Sequence, residues 1–288
     1  MGIWSAVCSV ASGIGSAIKS VGGALTSFAG KALGVVGGLA AKAAGFVGMA
    51  MGIIAGPLGP VVGPMIASLL IKIVVKGIEY LAKKAGIIGE KEKTEEVGYR
   101  IEEAEEHKED NWKRREDFQS FEEYYAYLKE QIPEEAINQE KLKTRADEYA
   151  VLGMHALAAG IEEKNGIELP ESFLFEIGRC HMDHDEIQAI IDAFKKLGYS
   201  SVELTAYLRG KLPLEKSRQL QEALLASMHQ YYPEKDQDTI LARLDAMRVA
   251  SQDDTQMKDL YAQEFEAEYH KTLEEAEQAA KLEKMQSI

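Results

Sequence analysis

Acidic side chains are almost missing from the first 89 residues, where Glu79 stands alone against seven lysines (19, 31, 42, 72, 76, 83 and 84). The formal charge of −14 therefore splits into +6 for residues 1–89 and −20 for residues 90–288. From Ala43 to Ile71 there is no charged residue at all. Cysteine is nearly absent, with Cys8 and Cys180 far apart, which excludes a disulfide framework and fits a reducing compartment. Strand-like alternation is lacking throughout, which excludes a sheet-based fold. There is no phosphate loop, dinucleotide fingerprint, His-Glu-x-x-His or nucleophile elbow, so no enzyme class is indicated and no cofactor is expected. The start, Met-Gly-Ile-Trp-Ser-Ala, has no positive n-region, and Ala6 departs from the myristoylation pattern. The expected localisation is membrane association after cytoplasmic synthesis, or export by a route that does not read a Sec signal.

The chain that remains reads as all-α. Gly/Ala-rich hydrophobic helices form a hairpin, and an acidic multi-helix bundle follows. Three segments result: a glycine-rich, basic, membrane-interacting region over 1–89, a charged connecting helix over 90–132, and an acidic α-helical bundle over 133–288. In the first, Ile3, Val7, Val10, Ile14, Ala17, Val21, Leu25 and Phe28 recur every three or four residues, as in an amphipathic helix. Gly30, Gly34 and Gly38 are spaced by four, and Gly48, Gly52 and Gly56 repeat that spacing, with Gly45 between the rows. Small residues at this interval make a flat groove where a second helix can approach closely. In water so many glycines cost helix stability, whereas in lipid an unbonded backbone has no water to turn to, which enforces the helix.

Pro57, Pro60 and Pro64 mark the bend, because proline lacks an N–H and clashes with the preceding turn. The second arm, 61–85, is apolar nearly all round, as expected of a core helix or a membrane span. Lys72 is out of place if a span begins at Val61. It suits a shifted span, a half-inserted arm or a polar lumen. The hairpin resembles, in pattern, the hydrophobic hairpin of colicin-type pore formers.

Beyond Glu90 the signals are those of solvated helices. Residues 94–131 read as one long helix, with Trp112, Phe118, Phe121, Tyr124, Tyr125 and Leu128 as its docking face. Helices are expected over 134–163, 170–180, to Leu197, to Arg209, 213–231 and 236–249, with a last one after Asp253. Gly166, Gly198 and Gly210 stop three of them, and Ser200 with Glu203 forms a capping box. Cys180, His181 and His184 offer zinc-type ligands, but a helix boundary falls inside this run, and Asp183 or Asp185 suffices as an N-cap.

The expectation is a membrane-inserting, pore-forming or permeabilising protein acting through the glycine rows. Its partners would be an anionic membrane, further copies of itself and a protein docking on the bundle. The acidic balance excludes nucleic acid as the main partner. The alternatives are an assembly protein of a virion, tail or membrane complex that buries the glycine rows between subunits, and a membrane-anchored interaction module.

Overall fold

A computed structural model describes residues 16, 18–27, 35–55, 62–107 and 112–253. Within them the chain is all-α, with twelve helices and no strand. Helix α1 covers 18–27. Helix α2, Val35–Met49, runs directly into a π-helical turn, Ala50–Ala55. Helix α3 is Val62–Lys84, α4 Thr94–Glu106, α5 Phe121–Gln131 and α6 Gln139–Thr144. Helix α7 is Ala146–Asn165, α8 Glu171–Arg179 and α9 His184–Leu197. Helices α10, Ser201–Leu208, α11, Leu214–Tyr231, and α12, Gln237–Gln252, complete the order. The helix expected beyond Asp253 lies outside the described residues.

The helix ends follow the capping chemistry of the sequence. Asp183 accepts hydrogen bonds from the Asp185 and Glu186 N–H groups, and Glu186 reaches back to the Asp183 N–H. Ser200 and Glu203 form the same reciprocal box. Asp236 caps α12 through the Thr239 N–H. Gly86, Gly166, Gly198 and Gly210 all adopt positive φ at helix ends, where an L side chain is strained.

Two expectations are corrected. The long helix over 94–131 is two helices, α4 and α5, with a 3-10 turn at Arg115–Asp117 between them. Nor is α4 a solvated connector. Val97, Gly98 and Ile101 are buried, and α4 lies along α7. The reason is a pair of facing glycines. A Cβ on Gly98 would fall 2.0 Å from the Tyr149 carbonyl oxygen, and one on Gly153 would fall 2.0 Å from the Thr94 carbonyl oxygen. Two backbones can approach this closely only where neither carries a side chain.

The helix expected over 134–163 is likewise broken. Asn138 caps α6, and Arg145 leaves the helical region before α7 begins. Its guanidinium grips Glu102 of α4 through two 2.7 Å bonds, and the Tyr149 hydroxyl donates to the same carboxylate at 2.7 Å. Burial opposes the Glu102 charge, but the hydrogen bonds from Arg145 and Tyr149 outweigh it and hold this carboxyl below the usual range.

One continuous hydrophobic cluster runs from Ile18 in α1 to Ala250 in α12. The basic N-terminal helices and the acidic bundle therefore share a core. Phe121, Tyr124, Tyr125 and Leu128 of the expected docking face are buried in it.

Candidate functional site: the two arms of the apolar element

Helix α3, the second arm, runs through the middle of the bundle. Met65, Ile66, Leu70, Val74 and Ile78 are fully buried. The helix packs on α7, α8 and α9 as well as on the π turn that ends α2. Two glycines set the approach: a Cβ on Gly178 of α8 would lie 2.4 Å from Leu70 Cγ, and one on Gly77 would lie 2.5 Å from Ile187 Cδ1 of α9. Pro64 sits buried in the first turn of α3, where its missing N–H would have had no helical partner in any case.

Lys72 has a place in this arrangement. Ser68, Lys72, Lys76, Glu79 and Lys83 recur at intervals of four, four, three and four, so they share one face of α3. Lys72 and Lys76 are exposed, and the others are partly buried. Glu79 accepts from Lys83 at 2.7 Å and from both the N–H and the hydroxyl of Thr94. Burial raises its pKa, but these bonds prevail and hold its carboxyl below the usual range. The second arm is thus an amphipathic helix with a narrow polar stripe, not one apolar on all sides.

The first arm has the opposite character. Its inner face consists of Ala40, Ala43, Phe46, Val47 and Ala50, all buried. Gly38, Gly45, Gly48 and Gly52 are exposed. A Cβ added at Gly38, Gly48 or Gly52 would meet nothing within 4 Å, and one at Gly45 would meet only the Glu171 carboxylate, at 3.8 Å. Among the described residues, none of these four glycines brings a second helix's backbone close. Gly30, Gly34, Gly56, Pro57 and Pro60 lie outside the described residues. Among the described residues, the close glycine contacts are made at Gly77, Gly98, Gly153, Gly160 and Gly178. None of these belongs to a spaced row, which is why sequence spacing did not single them out. Gly48→Ala should raise stability by up to about 1 kcal/mol, the helix-propensity gain of alanine in an unobstructed position. Thermal unfolding checks this, and a loss of stability would mean that the outer face of α2 is covered.

The described residues of the stretch 43–71 are divided among α2, the π turn and the first part of α3. Helix α2 has 15 residues, a rise of roughly 22 Å against a hydrocarbon core of about 30 Å. Helix α3 has 23 residues but carries Lys72, Lys76 and Glu79. Among the described residues no helix is long and apolar enough to cross a membrane.

Opposite the first arm, on α7, His155 is buried, with its ring edge-on to Phe46 at 5.8 Å between centroids. Its Nε2 has no hydrogen-bond partner. Burial, with the nearby positive charge of Lys42 adding to it, lowers its pKa to about 3, so the ring is neutral at pH 7.

The Cys180–Asp185 run spans the turn between α8 and α9. Cys180 is fully buried, and its thiol donates to the Met247 carbonyl at 3.3 Å. Burial, followed by the neighbouring Glu176 carboxylate, pushes that thiol well up, away from the thiolate a metal requires. His184 is half exposed and lies against Tyr80, at 4.3 Å between ring centroids. Among the described residues no group of three or more His, Cys, Asp or Glu side chains is placed to hold a metal ion.

No family model matches the chain, and comparison with curated proteins and with solved structures finds no match.

Proposed function

We propose that this protein inserts into and permeabilises membranes, and that the bundle is its closed, water-compatible form. The observation that carries this reading is the position of α3. An amphipathic helix with a basic stripe, Lys72 and Lys76, has its apolar faces packed against α7, α8 and α9 of the acidic part and against the π turn that ends α2. Released from that cover, α3 would present apolar flanks to acyl chains and its stripe to headgroups or a water-filled lumen. A single span is not required, because amphipathic helices act at interfaces and as oligomers. The outward glycines of α2 offer the flat surface on which copies pack closely.

Dye release from anionic vesicles by the full chain, at low salt and pH 5, tests the proposal. Leakage that grows with the anionic lipid fraction is the expected result. Protein that neither binds nor empties such vesicles would remove the reading. A second reading, an assembly protein, is favoured by the same unobstructed face at Gly38, Gly48 and Gly52. It predicts a symmetric, lipid-free oligomer and intact vesicles.

A further inference from the structure

The polar stripe of α3 borders a cavity of about 380 Å³, in the range of small-ligand sites. Four helices line it with apolar side chains: Ile18 and Val21 of α1, Val47 of α2, Ile71 and Val75 of α3, and Val151 of α7. Surfaces of this kind gain from any apolar chain that displaces water from them.

The ionic groups at the border cancel. Lys72, Lys76 and Lys93 stand against Glu79, Glu95 and Asp147, three positive charges against three negative. Glu79 is further engaged by Lys83 and by Thr94. An ionic head of either sign would give up hydration here and meet charges of both signs, so no net attraction would offset the loss. An uncharged head gives up far less, and Ser68 adds a neutral hydroxyl to the lining. The cavity therefore discriminates against ions and in favour of apolar length.

Helix α1 forms one wall. Ile18 and Leu25 are buried, and a Cβ added at Gly22 would lie 3.4 Å from Val47 Cγ1, so α1 rests closely on α2. The Thr26 hydroxyl donates to the Gly22 carbonyl of the same helix. Among the described residues, apolar packing is what joins α1 to its neighbours. A wall held in this way can part from the bundle and close again over a guest.

We infer that the cavity between α1, α2, α3 and α7 binds one uncharged aliphatic chain ending in a hydroxyl group, such as a fatty alcohol. The guest would join α1 to α3 and α7, and by binding the folded chain alone it would stabilise it. This site does not depend on the membrane reading.

The probe is 1-decanol, titrated by calorimetry into the full chain at pH 7. One molecule should bind per chain, saturably, and the thermal midpoint should rise with its concentration. Decanoate and decylammonium carry the same chain on a charged head, and each should bind about tenfold more weakly. Val75→Phe on α3 and Ala150→Leu on α7 fill the cavity from two sides and keep all six ionic groups. Circular dichroism will show whether each variant keeps its fold, and each folded variant should lose binding. Absence of saturable 1-decanol binding would overturn the inference. So would either ion binding as tightly as the alcohol, or an affinity unchanged in both filled variants. The comparison of the alcohol with the two ions uses the unaltered chain, so it decides the matter even where a variant fails to fold.

Discussion

Replacing Gly98 with Ala is expected to cost the fold about 3 kcal/mol or more, and Gly153→Ala a similar amount. The added Cβ at Gly98 would fall 2.0 Å from the Tyr149 carbonyl oxygen and 2.8 Å from its carbon. At Gly153 the obstacles are Thr94 O at 2.0 Å and Gly98 N at 2.9 Å. These are backbone atoms of facing helices, so no side chain can turn aside, and relief requires α4 and α7 to part. Parting them pulls on the Glu102–Arg145–Tyr149 cluster, which joins the same two helices. Losing the partner of the buried Glu102 carboxylate is itself destabilising. Urea unfolding followed by far-UV circular dichroism measures the effect. A loss below about 1 kcal/mol at either site would show that the helices are not this close. The double variant should cost less than the sum of the two, because one clash already opens the crossing for the other.

Acid should destabilise the protein through His155. An unfolded histidine titrates near 6.5, whereas burial, with Lys42 adding to it, holds the folded one at about 3. The unfolded chain therefore binds the proton first as pH falls. The stability that neutral His155 contributes is complete above pH 6.5 and is lost progressively down to pH 3. Between pH 7 and pH 5 the loss is about 2 kcal/mol. Glu96 and Glu176 act in the opposite sense, since burial raises both above the ordinary carboxyl value and the folded state gains protons there. Glu79 and Glu102, held low, contribute a further loss only in stronger acid. His155→Leu isolates the histidine: its stability should change by about 2 kcal/mol less than the parent's over the same interval. Identical pH profiles would show that His155 is not buried against Phe46 as described. Because that ring lies between α2 and α7, a matching onset of vesicle leakage at pH 5 to 6 is expected in the parent and should be shifted to lower pH in His155→Leu.

The sequence made some parts of this architecture readable and hid others for identifiable reasons. Local chemistry was readable. Gly166, Gly198 and Gly210 end helices, and Asp236, Ser200 and Glu203 cap them, because each acts within one turn of its own position. The aromatic face of α5 was readable from its spacing. Long-range choices were not. Gly98 and Gly153 look like isolated glycines, and only the folded chain reveals that they meet. The regularly spaced glycines of α2 look like contacts, yet those that are described face outward. Arg145 breaks a helix of good propensity because Glu102, 43 residues earlier, holds its guanidinium. Lys72 seemed to interrupt an apolar arm until the stripe from Ser68 to Lys83 placed it on a single polar face beside a cavity.

The central claim, that α3 must leave its cover to permeabilise a membrane, has a direct test. A Cβ on Gly178 would lie 2.4 Å from Leu70 Cγ, which brings the two Cβ positions within about 4 Å, the span of a disulfide. Leu70→Cys with Gly178→Cys, in a chain whose Cys8 and Cys180 are replaced by Ser and Ala, ties α3 to α8. Dye release from anionic vesicles is then measured with the bridge oxidised and again after reduction. Silence when oxidised and leakage when reduced is the predicted result. Equal leakage from the two forms would contradict the account.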